Sequence, residues 1–354
     1  MGGVSMGQQL FFVGSYAAKE QEGISAMVLH TEDGKITRLS GQAGIFNPSF
    51  LRSNEAGTRL YVVSETGAEP GSVYSFVIHA DNGELKAINE WTTKGGSPCH
   101  VEIDATGKLL IVTNYSGGNL CLYGIENEDG SLVPADFAAH EGGGPRNDRQ
   151  EVPHPHSAII DPANRYALIA DLGTDQIVHY AIDHDARKLD RQHATALPAG
   201  AGPRHMAFHP NGQVLYVINE LDSTVAVFSY EAEKSQLTLK QVISTLPEGY
   251  GEETTCADIH VTADGRFLYA SNRGHDSIAV YRIAAEGKLE LVEITSSGGM
   301  TPRNFAISPD GRYLLAANQN TDNIVTFRID GETGALRPTG HEIAMSKPVC
   351  IAFV

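Results

Sequence analysis

One pattern constrains this chain more than any other feature, because it recurs along nearly the whole length. It is clearest from Gly202 to Glu220: a Pro-led apolar segment runs into Pro210-Asn211-Gly212, and a second apolar segment leaves it to end at Asn219-Glu220. Apolar residues alternate with a period of two, the period of strands rather than helices. Asn and Gly tolerate positive φ, which a tight turn between two strands requires. An antiparallel hairpin sets the start of its first strand beside the end of its second. Arg204, His205, Asn219 and Glu220 should therefore share one sheet edge.

The same turn recurs at Gly57, Gly107, Asn164, Gly212, Gly265 and Gly311, at spacings of 50, 57, 48, 53 and 46 residues. Seven residues beyond each turn stands a small polar residue: Ser64, Asn114, Asp171, Asn219, Asn272 and Asn318. A third strand follows, then a Gly-x-Leu turn as at Gly83, Gly130 and Gly287, then a fourth strand. Four strands in about 50 residues, repeated, describe the blade of a β-propeller. Six whole units are visible. Lys347 to Val354 matches a first strand with nothing after it, and Gln9 to Ser15 matches a second strand with nothing before it. Joining the two makes a seventh blade and removes the exposed edges that invite aggregation. The expectation is an all-β, seven-bladed propeller with four antiparallel strands per blade. The ring is closed by the N- and C-terminal strands, Val349 to Val354 lying beside Leu10 to Ser15, in one domain over residues 1–354. Residues 1–7 are expected to be disordered or vector-derived, with Met6 a natural start. The longest spacing holds a polar, Gly-rich stretch between Ala135 and Pro153, which reads as a loop of the kind that carries function.

Charge narrows the ligand. A net charge of −17 argues against nucleic acid or an anionic membrane as partner. An anionic substrate would need a local cluster of Arg against that field. No apolar run reaches the roughly 20 residues of a membrane span. No secretory signal precedes the first strand, and the four cysteines lack CxxC spacing, so a reducing, cytoplasmic setting is expected. HExxH, GxSxG and P-loop motifs are absent, and neither a metal nor a cofactor is expected.

Register then selects candidates. Eight residues before the turns stand Ser49, Cys99, His156, Arg204, Ala257 and Arg303, with Val349 in the split blade; one further on stand Phe50, His100, Ser157, His205, Asp258, Asn304 and Cys350. Just past the second strands come Glu65, Tyr115, Leu172, Glu220, Arg273 and Gln319, with Tyr16 in the split blade. These positions meet at one mouth of the channel. Glu220, His156, Arg204 and Arg273 have no evident turn role and are the catalytic candidates. His205, His154, Arg149, Arg303, Asn114, Gln319, His100 and Glu65 are candidates for substrate binding. Asn114 and its three equivalents read equally well as turn formers. A cation held by Glu65, Asp171 and Asn side chains is disfavoured by the arginines beside it.

These residues also carry a resemblance. Arg149 to Ser157, Gly202 to His205, Asn219-Glu220 and Asn272-Arg273-Gly274 resemble the seven-bladed lactonase family, which includes propeller-type 6-phosphogluconolactonases and carboxymuconate-lactonizing enzymes, and the likeness runs nearly end to end. It maps His156, Arg204, Glu220 and Arg273 onto the family's proposed active-site set. It implies lactone chemistry on a small anion, first of all hydrolysis of 6-phosphogluconolactone. Glu220 or His156 would be the general base, and Arg204 and Arg273 would hold the oxyanion or phosphate. The alternatives are a lactonizing cycloisomerase and a non-catalytic propeller that binds a small anion or a protein.

Overall fold

Each repeat unit folds into a four-stranded antiparallel sheet, and there are seven. The computed structural model describes residues 7–354. The expectation for residues 1–6 falls outside them, while Gly7 lies in a turn whose carbonyl accepts the Thr31 amide at 2.8 Å. The repeat turn forms as its chemistry requires: φ is +64° at Gly57, +67° at Gly107, +56° at Asn164 and +71° at Gly212, Gly265 and Gly311.

The innermost strands are Leu51–Ser53, Pro98–Ile103, Pro155–Ile160, Pro203–Phe208, Thr255–Val261, Pro302–Ile307 and Pro348–Phe353. Each contacts its two neighbours, so the contacts run unbroken round the channel. Closure follows the expected pairing. Phe11 faces Phe353, Val13 faces Ile351 and Gly14 faces Cys350, in a sheet that continues through Ile24–His30 and Ile36–Gln42.

Alternation along the strands buries one side chain in two against each neighbouring blade. Seven apolar clusters result, each spanning one blade interface. Fully buried Phe12 lies in the cluster that joins the split blade to the next, and replacing such a residue by Ala typically costs about 3–5 kcal/mol. Tyrosines of second strands add a polar tie across the interface. Tyr216 donates to Gly287 O at 2.9 Å and Tyr269 to Gly334 O at 2.7 Å, the glycines being those of the Gly-x-Leu turns.

One boundary differs from expectation. Residues 135–139 continue the outer strand Leu132–Ala139, so the Gly-rich loop begins at His140. The strand persists because Leu120, Cys121 and Leu122 offer it partners at Ala138, Phe137 and Asp136. No helix among the described residues is long and apolar enough to cross a membrane.

Candidate active site

The register argument acquires a physical cause at the mouth. In four inner strands one residue is squeezed out of the ladder. Pro98 and His100 face the consecutive residues Asn114 and Thr113, which leaves Cys99 as the extra residue. His156, Arg204 and Arg303 are extra in the same way. In the fifth blade the irregularity covers Ala257 and Asp258, and in the split blade it falls at Val349. Bulges of this kind bend a strand and re-aim a side chain, and they are common beside active sites. The leading proline lacks an N–H, so nothing in the ladder is lost where the strand departs from it.

Around the mouth these side chains form a charged cluster centred on Glu220, which is 4% exposed. Its Oε2 accepts from Arg204 Nε at 3.0 Å and lies 3.0 Å from Arg273 Nη2. Its Oε1 accepts from Arg149 Nη2 at 2.5 Å, Arg149 reaching in from the Gly-rich loop. That loop is braced by Gln150, whose amide donates to Leu172 O and Asp175 Oδ1. Arg204 also donates to Ala257 O at 2.5 Å and Arg273 to Cys256 O at 2.7 Å, so both guanidinium groups are held from two sides.

Burial favours the neutral acid of Glu220, but Arg273, Arg204 and Arg149 outweigh it and hold the carboxyl well below the usual range. Arg204 is itself brought down to about 10 by burial and by Arg273 and Arg303, more than Glu220 can restore, and it remains charged at neutral pH. Burial lowers Arg273 as well, while Arg303 is raised because Tyr16, then Glu65 and Glu220, outweigh its burial. Glu220 is therefore a permanent carboxylate of very low basicity. A carboxylate ringed in this way balances part of the guanidinium charge around it.

His156 is 5% exposed and stands edge-on to Tyr115, with ring centres 5.5 Å apart. Burial, then Arg204, His205, Arg303 and Arg273, hold its imidazolium form far below the ordinary histidine range, so the ring is neutral at pH 7. His154 stacks on Tyr115 at 4.2 Å and bonds its carbonyl through Nδ1 at 2.9 Å, which fixes that ring. Glu65 accepts from Tyr16 Oη at 3.1 Å, and Arg303 lies over the Tyr16 ring at 5.4 Å. Gln319 is half-buried at the equivalent rim position.

Three candidates lie elsewhere. Asn114 is fully buried within its blade and donates to Thr93 O and Asn119 Oδ1, so it secures a strand end and is not brought to the mouth. His100 and His205 lie deeper, in the wall of a cavity of about 640 Å³ at the opposite end of the channel. His205 spans the two ends, with Nε2 3.3 Å from Arg204 Nη1 and Nδ1 2.8 Å from Asp258 Oδ1. Asp258 in turn accepts from Asn304 at 2.5 Å and lies 3.0 Å from His260 Nε2. Tyr16, Tyr115, Ser49 and Asp258 also belong to this constellation. Their register positions pointed to the channel; Tyr16 meets Glu65, Tyr115 meets Arg149 and Asp258 meets His205 across blade boundaries, while Ser49 Oγ has no hydrogen-bond partner among the described residues. Among the described residues no group of three or more His, Cys, Asp or Glu is placed to hold a metal ion.

The larger cavity at the far end is not where the charge gathers. Four guanidinium groups (Arg149, Arg204, Arg273, Arg303) meet two carboxylates (Glu65, Glu220) at the mouth, an excess of two positive charges in a chain of net −17. A propeller channel widens for reasons of packing alone. A local excess of positive charge does not arise that way, and it raises the concentration of anions beside it.

Comparison with known proteins identifies the family. The profile of the family described as "Lactonase, 7-bladed beta-propeller" matches residues 10–353. The chain is 36% identical over 351 residues to a 6-phosphogluconolactonase of Bacillus subtilis, covering 99% of each chain. It is 37% identical over 345 residues to a 6-phosphogluconolactonase of Formosa agariphila, covering 95% of this chain and 96% of the other. The solved structure of the periplasmic gluconolactonase of Pseudomonas aeruginosa superposes with a TM-score of 0.92 at 30% identity, over 98% of this chain and 99% of that one. The chain belongs to the seven-bladed β-propeller lactonase family and is an enzyme of that family.

Proposed function

We propose that this lactonase-family enzyme hydrolyses 6-phosphogluconolactone to 6-phosphogluconate in the cytoplasm, with His156 as general base. The observation that carries the reading is the excess of guanidinium groups around Glu220 and His156 at one mouth. The names of the Bacillus and Formosa relatives support the substrate.

In this mechanism the phosphate is held by the more accessible arginines, Arg149 and Arg273, which offer planar forks for bidentate contacts. Arg204, more deeply buried, faces the carbonyl oxygen and stabilises the oxyanion. Water attacks the lactone carbonyl as His156 takes its proton. The tetrahedral intermediate collapses with cleavage of the ring C–O bond, and the imidazolium returns the proton to the departing ring oxygen. The carboxylic acid formed then ionises and releases one proton to solvent. A low imidazolium pKa slows the first transfer and favours the second. Glu220 keeps three guanidinium groups packed together that would otherwise repel one another.

A second reading is unphosphorylated gluconolactone, which the name of the Pseudomonas relative favours and which would not require so much positive charge. The test is hydrolysis of fresh 6-phosphogluconolactone beside gluconolactone, each corrected for spontaneous opening. A preference of at least tenfold in kcat/KM for the phosphorylated lactone is expected; equal rates would favour the second reading. Cell fractionation tests the compartment.

A further inference from the structure

Below the arginine cluster the channel narrows to a chamber of about 10 Å³, walled by Ser49, Glu65, Cys99, His156, Arg204 and Arg303 among others. That is room for water and for nothing the size of a sugar. A buried water also needs two to four polar partners, and the walls supply them. Ser49 is 5% exposed, and its Oγ finds no hydrogen-bond partner among the described residues, a state that costs free energy unless something occupies the chamber. His156 lines the chamber too, its Nδ1 facing Cys99 Sγ at 3.9 Å. Glu65, an acceptor for Tyr16 Oη, has lone pairs to spare.

We infer that this chamber seats the hydrolytic water and that Ser49 holds it, by one hydrogen bond, in reach of His156. The inference rests on the lactone hydrolysis proposed above. Ser49 Oγ accepts from or donates to the water, Glu65 orients it, and His156 takes its proton as its oxygen attacks the carbonyl of a lactone lying over the chamber. The O–H bond of the water breaks, the new C–O bond forms, and the proton passes through His156 to the ring oxygen. Cys99, the other nucleophile in the wall, is pushed up to about 12 by burial and stays a thiol, so it offers no competing covalent route. No local motif marks Ser49. It precedes the short inner strand Leu51–Ser53, and its orphaned hydroxyl exists only because neighbouring blades enclose it.

Two variants of the full chain test this. Ser49→Val fills the chamber with methyl groups and should lower kcat at least about 100-fold, the usual worth of a well-placed nucleophile. KM, and the rise in melting temperature with 6-phosphogluconate, should stay as in the wild type. Ser49→Ala keeps the space and removes one hydrogen bond, and should lower kcat about tenfold. A high-resolution crystal structure should show one ordered water within hydrogen-bond reach of Ser49 Oγ, and none in Ser49→Val. Wild-type kcat in Ser49→Val, or no water in the chamber, would overturn the inference. Complete loss of activity in Ser49→Ala, with an acyl group trapped on Ser49 in the wild type, would also overturn it and make the serine the nucleophile. An active chain whose Ser49 variants are unimpaired fells this inference alone. A chain inactive on every lactone fells the proposed function as well.

Discussion

The two ends of the channel differ in volume and in charge, and the differences run in opposite directions. The far end holds the larger cavity, about 640 Å³, yet its charges are matched: Arg52 pairs with Glu102 at 3.0 Å and His260 with Asp258 at 3.0 Å. The mouth closes to a chamber of about 10 Å³, yet it gathers more guanidinium than carboxylate. The far cavity is walled largely by apolar side chains of the inner strands. Packing like charges in a desolvated space, as at the mouth, costs free energy, and such clusters gather at functional sites. The two ends therefore make opposite claims to be the reactive one, the far end by volume and the mouth by unbalanced charge.

The sharpest way to break this comparison is to disable each end in turn. His156→Asn should lower kcat by roughly 10²–10⁴, the range of general-base catalysis, with little change in affinity for 6-phosphogluconate. Arg52→Ala, at the far end and 46% exposed in its side chain, should leave kcat within about twofold. Equal losses in a lactonase assay would erase the distinction.

Next in size is the anion. Arg273→Ala should weaken product binding by about 2–5 kcal/mol, the penalty for truncating one member of a buried charge pair. Arg273→Lys should recover little of it, because an ammonium lacks the planar fork. Calorimetric titration with 6-phosphogluconate reads both, and unchanged affinity in Arg273→Ala would move the phosphate site elsewhere.

Glu220→Gln separates anchor from base. As an anchor, Glu220 supports a smaller loss of kcat than His156 does, together with a loss of stability at neutral pH. The sign is set by its depressed pKa: the stabilisation is present above the ordinary value of 4.5 and is lost as pH falls from there toward the folded pKa. Glu220→Gln should therefore lie well below the wild type in melting temperature at pH 7 and converge on it in strong acid. A kcat loss exceeding that of His156→Asn would restore Glu220 as the base.

The smallest expected effect is a difference in acid response. His100, His156 and His205 are buried neutral and hold lowered pKa values, that of His205 at about 4, so the unfolded chain binds more protons below pH 6.5 and stability falls there. His260, at the far end, is raised by Asp258 despite its burial; its contribution is present below pH 6.5 and is lost as pH rises through its folded pKa. Melting temperatures of His260→Asn and wild type should differ more at pH 5.5 than at pH 8.5. The reverse order would contradict the Asp258 pairing.

Much of this was legible in the residues themselves. Strand period and turn chemistry act within a few residues, so the turns at Gly57 through Gly311, the seven blades and the closure of Leu10 to Ser15 by Val349 to Val354 could be read directly. Register along the repeat also brought Arg204, Glu220, Arg273 and His156 to one mouth, because hairpins align strand starts with strand ends. Roles were another matter. Glu220 is ringed by guanidinium because Arg149, 71 residues earlier in the chain, reaches it from a loop and because Arg273 comes from the next blade. Asn114 turned inward to secure Thr93, Tyr16 and Asp258 found Glu65 and His205 across blade boundaries, and Ser49 was enclosed there without a partner among the described residues. Burial and opposing charge set what an ionisable group can do. Both depend on side chains that come together only when the ring closes, and so these roles belong to the tertiary structure alone.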